Sequence, residues 1–145
     1  MTWPLPQTGL VVAYSYLWHR EANTGHEEGR KDRPCAVIMA VKSVQGDTTV
    51  YVLPITHSAP LKADEGLEIP APTKARLGLD EARSWVVLNE ANVFVWPGPD
   101  LRLVQGQSPS GPAYGILPPG FFRVLRERFL TRANARRIRT VKRTP

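Results

Sequence analysis

The spacing of its chain breakers constrains this protein more than any other feature. β-branched and aromatic runs of strand length are separated by prolines, glycines and polar stretches, and only one segment, near the end, repeats its apolar residues at helical spacing. The first run is Gly9-Leu10-Val11-Val12-Ala13-Tyr14-Ser15-Tyr16-Leu17-Trp18, and the polar stretch at 19–32 that follows it reads as a long loop. Pro34-Cys35-Ala36-Val37-Ile38-Met39-Ala40-Val41 is apolar throughout, as in a strand covered on both faces. Gly46-Asp47 marks a hairpin turn, and Thr48-Thr49-Val50-Tyr51-Val52-Leu53-Pro54-Ile55 is the returning strand. Pro54 has no N–H to offer a ladder, so it is expected at the ladder's end, at an edge or at a bulge.

Further on, Leu67-Glu68-Ile69 is a candidate short strand and residues 73–77 are either helix or loop. Residues 84–90 form another β run, which residues 92–96 continue after a bend. Residues 97–119 hold six prolines and four glycines and read mostly as loop. In the segment 121–130, Phe122, Leu125 and Phe129 make one apolar stripe, with Phe121 and Val124 beside it, while Arg123, Arg126 and Glu127 fall on the other face. Strands first and one terminal helix describe a mainly-β α+β fold, most simply a small curled barrel. The length, 145 residues, fits a single domain.

The net charge of +6 is unevenly placed. Residues 1–130 are neutral, with 13 acids balanced by as many bases, whereas residues 131–145 contain Arg132, Arg136, Arg137, Arg139, Lys142 and Arg143 and no acid. The body is therefore assigned to 1–130 and a flexible basic tail to 131–145, which is either a solvated terminus or a nucleic-acid contact. Were all six charges to meet single-stranded RNA, log affinity would fall against log salt with a slope of roughly 4. The lone Cys35 leaves no internal disulfide and no multi-thiolate zinc site; it fits a reducing cytoplasm and reads as a core residue. No apolar run reaches membrane-spanning length, and Met1-Thr2-Trp3-Pro4-Leu5-Pro6 does not look like a signal peptide, so no membrane partner is expected. There is no CxxC, HExxH, P-loop or GxGxxG, and His19, His26 and His57 lack ligand spacing, so neither a metal nor another cofactor is expected.

Two segments carry chemistry. Gly29-Arg30-Lys31-Asp32-Arg33-Pro34 sets three bases at the mouth of the apolar strand, and Pro54-Ile55-Thr56-His57-Ser58 ends its hairpin partner with hydroxyls and an imidazole. The hairpin register puts Arg33 and Thr56 at the same end of the sheet. There a guanidinium can neutralise charge on a phosphate, a hydroxyl can bond a phosphate oxygen, and His57 can move a proton near neutral pH. The competing interpretation is that these groups satisfy backbone atoms at strand ends. Trp18, beside Arg20, either stacks a nucleobase or packs the mouth of the barrel or an interface between subunits.

Over roughly residues 9–130 these segments resemble the MazF/PemK family of toxin ribonucleases. The likeness rests on Arg33-Pro34 leading into the apolar strand, on Pro54-Ile55-Thr56 ending the next, and on Leu77-Gly78-Leu79 followed by the strand Ser84-Trp85-Val86-Val87-Leu88-Asn89-Glu90 ahead of a C-terminal helix. The resemblance implies an SH3-like barrel that forms a homodimer and cuts single-stranded RNA without metal, the ribose 2′-hydroxyl attacking the adjacent phosphate. It also implies an antitoxin partner. By the same resemblance Arg33, Thr56 and Glu90 are the catalytic positions; the residue chemistry adds Arg30, Lys31, His57, Ser58, Trp18 and Arg20 as candidate RNA contacts. Leu88 stands where some members carry an arginine. The alternatives of another class are a non-catalytic nucleic-acid-binding module on the same scaffold and a toxin that inhibits a protein target.

Overall fold

The computed structural model describes residues 3–25, 31–107 and 111–143. Three antiparallel strands form its centre: β1 (Leu10–Tyr14), β2 (Arg33–Lys42) and β3 (Thr48–Thr56). A tight turn joins β2 to β3; Gly46 adopts φ +99°, which glycine reaches without a steric penalty. The β2–β3 ladder runs from Lys42 opposite Thr48 to Cys35 opposite Pro54 and stops there, as the missing proline N–H requires. On its other edge β3 pairs with β6 (Glu90–Val95) through Val52 opposite Asn92, then with β5 (Trp85–Val87) from Ile55 opposite Val86. Residues 85–95 thus follow one edge with a break at Leu88 and Asn89.

Outside these lie β4 (Gly66–Glu68) against β5, β7 (Ala113–Ile116) against β1, and β8 (Arg139–Lys142) parallel to β6, completing one eight-stranded, mainly antiparallel sheet. The helices are α1 (His19–Asn23), α2 (Ala71–Arg76) and α3 (Pro119–Asn134). Strand alternation sorts the core into two clusters. Val11, Ala36, Ile38 and Leu53 pack with Leu125 and Phe129 of α3, while Val12, Cys35, Val37 and Val52 pack with Tyr14 and Phe94. Both sides of the central strands are therefore buried. No helix among the described residues is long and apolar enough to cross a membrane.

Three expectations are corrected. The stretch at 19–32 holds a helix, α1, whose first backbone N–H groups are met in part by Glu21 Oε1, which accepts from Trp18 N–H at 3.1 Å. The proline-rich 97–119 contains β7, a strand too short and too interrupted, with Gly115 at φ +146°, to show as a β run. The largest correction concerns the basic segment assigned to 131–145, whose described part, 131–143, is not a loose tail. The stripe of α3 extends from Leu125 and Phe129 to Arg132, buried and paired with Asp64 at 3.0 Å. After α3 the chain turns back, with Arg137 N–H donating to Arg132 O at 2.8 Å and Arg136 N–H to Ala133 O at 3.0 Å, and enters β8.

Arg143, just past β8, is buried. It donates to Ser15 O at 2.6 Å and Asn92 Oδ1 at 2.9 Å, meets Asp100 Oδ1 at 3.1 Å, and lies 5.5 Å from the Tyr14 ring centre. Two of the six tail charges are therefore internal, because each finds a carboxylate and carbonyls that repay its desolvation. Removing one partner of such a pair strands the other. Arg143→Ala is expected to lower stability by about 3 kcal/mol, read as a drop in the urea midpoint at unchanged m; a shift of under about 0.5 kcal/mol, the usual range for surface substitutions, would make the segment a passive terminus.

Candidate functional site

Arg33 opens β2 opposite Tyr14, and Thr56 closes β3 opposite Trp85, so the hairpin and the β3–β5 pairing deliver both to one end of the sheet. Between them lies a cavity of about 450 Å3. Its wall includes Lys31 and Arg33 from one segment, Thr56, His57 and Ser58 from the other, and Trp18 and Arg20 from the entry to α1. Arg30 lies outside the described residues.

Arg33 is the centre of this arrangement. Its guanidinium carbon lies 4.9 Å from the centre of the Trp18 ring, and that of Arg20 lies 5.3 Å from the same ring. Among the described residues the Arg33 side chain has no hydrogen-bond or ion-pair partner, and its Nε is buried without one. The adjacent acid, Asp32, faces Arg102 instead, at 3.5 Å. The aromatic contact stabilises the cation by on the order of 1 kcal/mol, and among the described residues its N–H groups have no acceptor. A half-buried guanidinium in that state favours any anion that enters.

Thr56 Oγ1 accepts the Ser58 N–H at 3.2 Å, which fixes the turn and leaves the hydroxyl proton for another acceptor. His57 is exposed, with Nε2 2.7 Å from Asp80 Oδ2. An ionised carboxylate only accepts, so Nε2 carries the proton in this bond, and in the neutral tautomer that makes it the lone pair is on Nδ1. Asp80 is held in turn by Lys74 of α2, whose buried ammonium donates to Asp80 Oδ1 at 2.7 Å, to Ser84 Oγ at 2.7 Å and to Ala82 O. The bond from Lys74 is the chief reason the Asp80 carboxyl titrates below the usual aspartate range. Tyr114 of β7 also lines the cavity, its phenol pushed up mainly by burial and so kept as a neutral donor.

Glu90 is not on this wall. Its Oε1 accepts the Tyr16 hydroxyl at 3.1 Å and the His19 N–H at 2.9 Å, and the Tyr16 ring packs edge-on to Trp18 with centres 5.1 Å apart. Burial, then the Glu90 charge, keeps the Tyr16 hydroxyl well above its usual range and hence a donor. Glu90 therefore reaches Arg33 only through Tyr16 and Trp18. It borders a neighbouring cavity of about 300 Å3 that shares Trp18, Arg20, Thr56 and Ser58 with the first. Leu88 is fully buried in the core beneath the sheet, so this position does not face either cavity.

The Lys74–Asp80–His57 chain has no sequence signature. Asp80 is a turn carboxylate after Gly78, and nothing in its spacing links it to a histidine 23 residues earlier. Among the described residues no group of three His, Cys, Asp or Glu is placed to hold a metal ion. No family model, curated protein or solved structure matches the chain.

The lowered Asp80 pKa sets a pH dependence. A carboxyl that is more acidic in the fold stabilises it above the unfolded value, about 4, and loses that contribution as pH falls through the folded value. Asp80→Asn is expected to cost about 1–2 kcal/mol at neutral pH, less than for a fully buried pair because Asp80 is half exposed. It should also flatten the fall in stability below about pH 4 seen in the parent. A variant with the parent's full acid dependence would show that another carboxyl is responsible.

Proposed function

We propose that the protein is an endoribonuclease that cleaves single-stranded RNA by attack of a ribose 2′-hydroxyl on the adjacent phosphate. The observation that carries this is Arg33: a cation without a partner among the described residues, held on Trp18 in a cavity that also gathers Thr56, His57 and Lys31. In the reaction the 2′-oxygen bonds to phosphorus and the bond from phosphorus to the 5′-oxygen breaks. The 2′-hydroxyl proton goes to the free Nδ1 of His57, and a proton from solvent reaches the departing 5′-oxygen. The products are a 2′,3′-cyclic phosphate and a 5′-hydroxyl. Arg33 neutralises the charge that builds on the equatorial oxygens, the Thr56 hydroxyl bonds one of them, and Asp80 orients the imidazole.

The resemblance to MazF/PemK toxins favours the same chemistry. With it come the finer expectations of an SH3-like barrel, a homodimer, a cytoplasmic site of action, a reaction needing no metal, and an antitoxin whose acidic segment covers the Arg33 cavity. Glu90, already engaged by Tyr16 and His19, acts in this scheme by positioning Trp18. A non-catalytic RNA-binding module is the alternative outcome of the test.

The test is incubation with long single-stranded RNA in EDTA, followed by end-group analysis. Arg33→Ala is expected to lower the rate by about 10²–10³ and His57→Ala by about 10²–10⁴, each with a thermal midpoint within a few degrees of the parent because neither side chain is tied into the core. Intact RNA from the folded parent would leave a binding module. Undiminished cleavage by Arg33→Ala would place the chemistry elsewhere.

A further inference from the structure

We infer that the cavity between the end of α3 and the start of β8 is a second phosphate-binding site, holding the backbone of the same single-stranded RNA some nucleotides away from Arg33. This rests on the ribonuclease proposal and extends it. The cavity, about 420 Å3, is walled by Arg132, Arg136, Arg137 and Arg139, four of the six bases that follow residue 130. Arg132 and Arg137 share Asp64, at 3.0 and 3.4 Å. Arg136 and Arg139 are exposed and have no ion-pair partner among the described residues. The carboxylates on the opposite wall are already engaged: Glu90 by Tyr16 and His19, Glu65 by the Lys62 N–H at 3.2 Å and the Asn89 amide at 3.2 Å. Those donors are neutral and leave both carboxylates charged, but four arginines against Glu65, Glu90 and the shared Asp64 leave the cavity net positive, with Arg136 and Arg139 the cations that no carboxylate pairs among the described residues.

The backbone makes an independent case. Arg136 has φ +58°, at the position after the helix cap where the turn closing α3 requires the left-handed conformation. Glycine takes that conformation without a steric penalty and arginine does not, so stability alone favours glycine. What arginine adds is a cation at the cavity rim.

Continuity fixes the ligand as a polymer. Glu65, Asn89 and Glu90 belong both to this cavity and to the neighbouring one of about 300 Å3, which in turn shares Trp18, Arg20, Thr56 and Ser58 with the Arg33 cavity. The three form one track with cations at its two ends. Its middle carries Trp18 and Trp85, on which bases can stack, and Glu65 and Asn89, whose oxygens can accept base N–H donors; the carboxylates there disfavour a phosphate. A small anion needs only one end; a strand of RNA uses both.

The test titrates the full chain with 2′-O-methyl oligoribonucleotides, which lack the attacking hydroxyl, of about 4 and about 12 nucleotides, following fluorescence anisotropy across a salt series. The parent should bind the longer strand about tenfold more tightly. Arg136→Gly combined with Arg139→Ala should remove that advantage and reduce the salt slope by about 1.4, two phosphates at about 0.7 each. Arg136→Gly alone should unfold no earlier than the parent, so lost binding cannot be blamed on lost folding. Equal affinity for both lengths in the parent, or an unchanged slope in the double variant, would overturn the second site. So would a polyglutamate peptide that displaces the longer strand as well as unlabelled RNA does. Arg33→Ala separates the two proposals: it should weaken both lengths alike. If it binds both as the parent does while the double variant loses the length effect, the second site stands and the role given to Arg33 falls. A parent that binds neither length would end both.

Discussion

Strand β3 changes its neighbours at Pro54, and the candidate site exists because it does. Up to that residue β3 is held on one edge by β2; up to Val52 it is held on the other by β6. Proline supplies no N–H, so the β2 ladder ends, and the next pairing is the short one from Ile55 and Thr56 to β5. The two strand ends, Arg33 on β2 and Thr56 on β3, are thereby released from facing each other in a ladder and stand apart across a cavity. A continued ladder would have closed that gap with backbone. The break at Leu88 and Asn89 is the same accommodation on the outer edge, and it sends β6 on to receive β8.

Three arginines show how the fold handles a cation that it takes partly out of water. Arg132 and Arg143 each have a carboxylate, Asp64 and Asp100, and further carbonyl acceptors. Both belong to the framework, and neither charge is available to a ligand. Arg33 is partly buried too, yet its neighbour in sequence is turned toward Arg102 and its contact is a ring. Among the described residues no anion pairs with Arg33, and desolvation in that state is unfavourable by itself. The exposed face of the cavity keeps that cost small, and a phosphate would reverse it. The difference between these arginines is one of partners, which composition does not reveal.

The parts of the fold legible in the sequence were those whose partners are close in the chain. The β2–β3 hairpin, its glycine turn and the ladder ending at Pro54 follow from local pattern, as does the stripe of α3 through Leu125 and Phe129. So does the placing of Arg33 and Thr56 at one end of the sheet, since a hairpin register fixes it. The parts that stayed hidden depend on distant pairing. β8 is short and basic, and only its contact with β6, with Val141 buried, makes it a strand. β7 depends on β1, about a hundred residues away. Lys74 becomes a site residue because a helix brings it under Asp80, and Glu90 leaves the site because Tyr16 and His19 reach its carboxylate first.

The basic C-terminal segment is where structure and charge are most closely joined. Its two buried arginines, Arg132 and Arg143, flank the exposed ones along the chain, and the first kind positions the second. Arg132 locks the end of α3 by donating to Arg137 O at 3.1 Å as well as to Asp64, which sets the turn in which Arg136 projects. Arg143 anchors the far end of β8 to Ser15, Asn92 and Asp100, which holds Arg139 at the near end. A flexible tail carrying the same six charges would lose conformational entropy on meeting a polyanion, at about 1–2 kcal/mol per residue ordered. Here that ordering is completed on folding. The same bonds that remove two charges from the surface therefore make the remaining ones better suited to hold an extended anion in a fixed place.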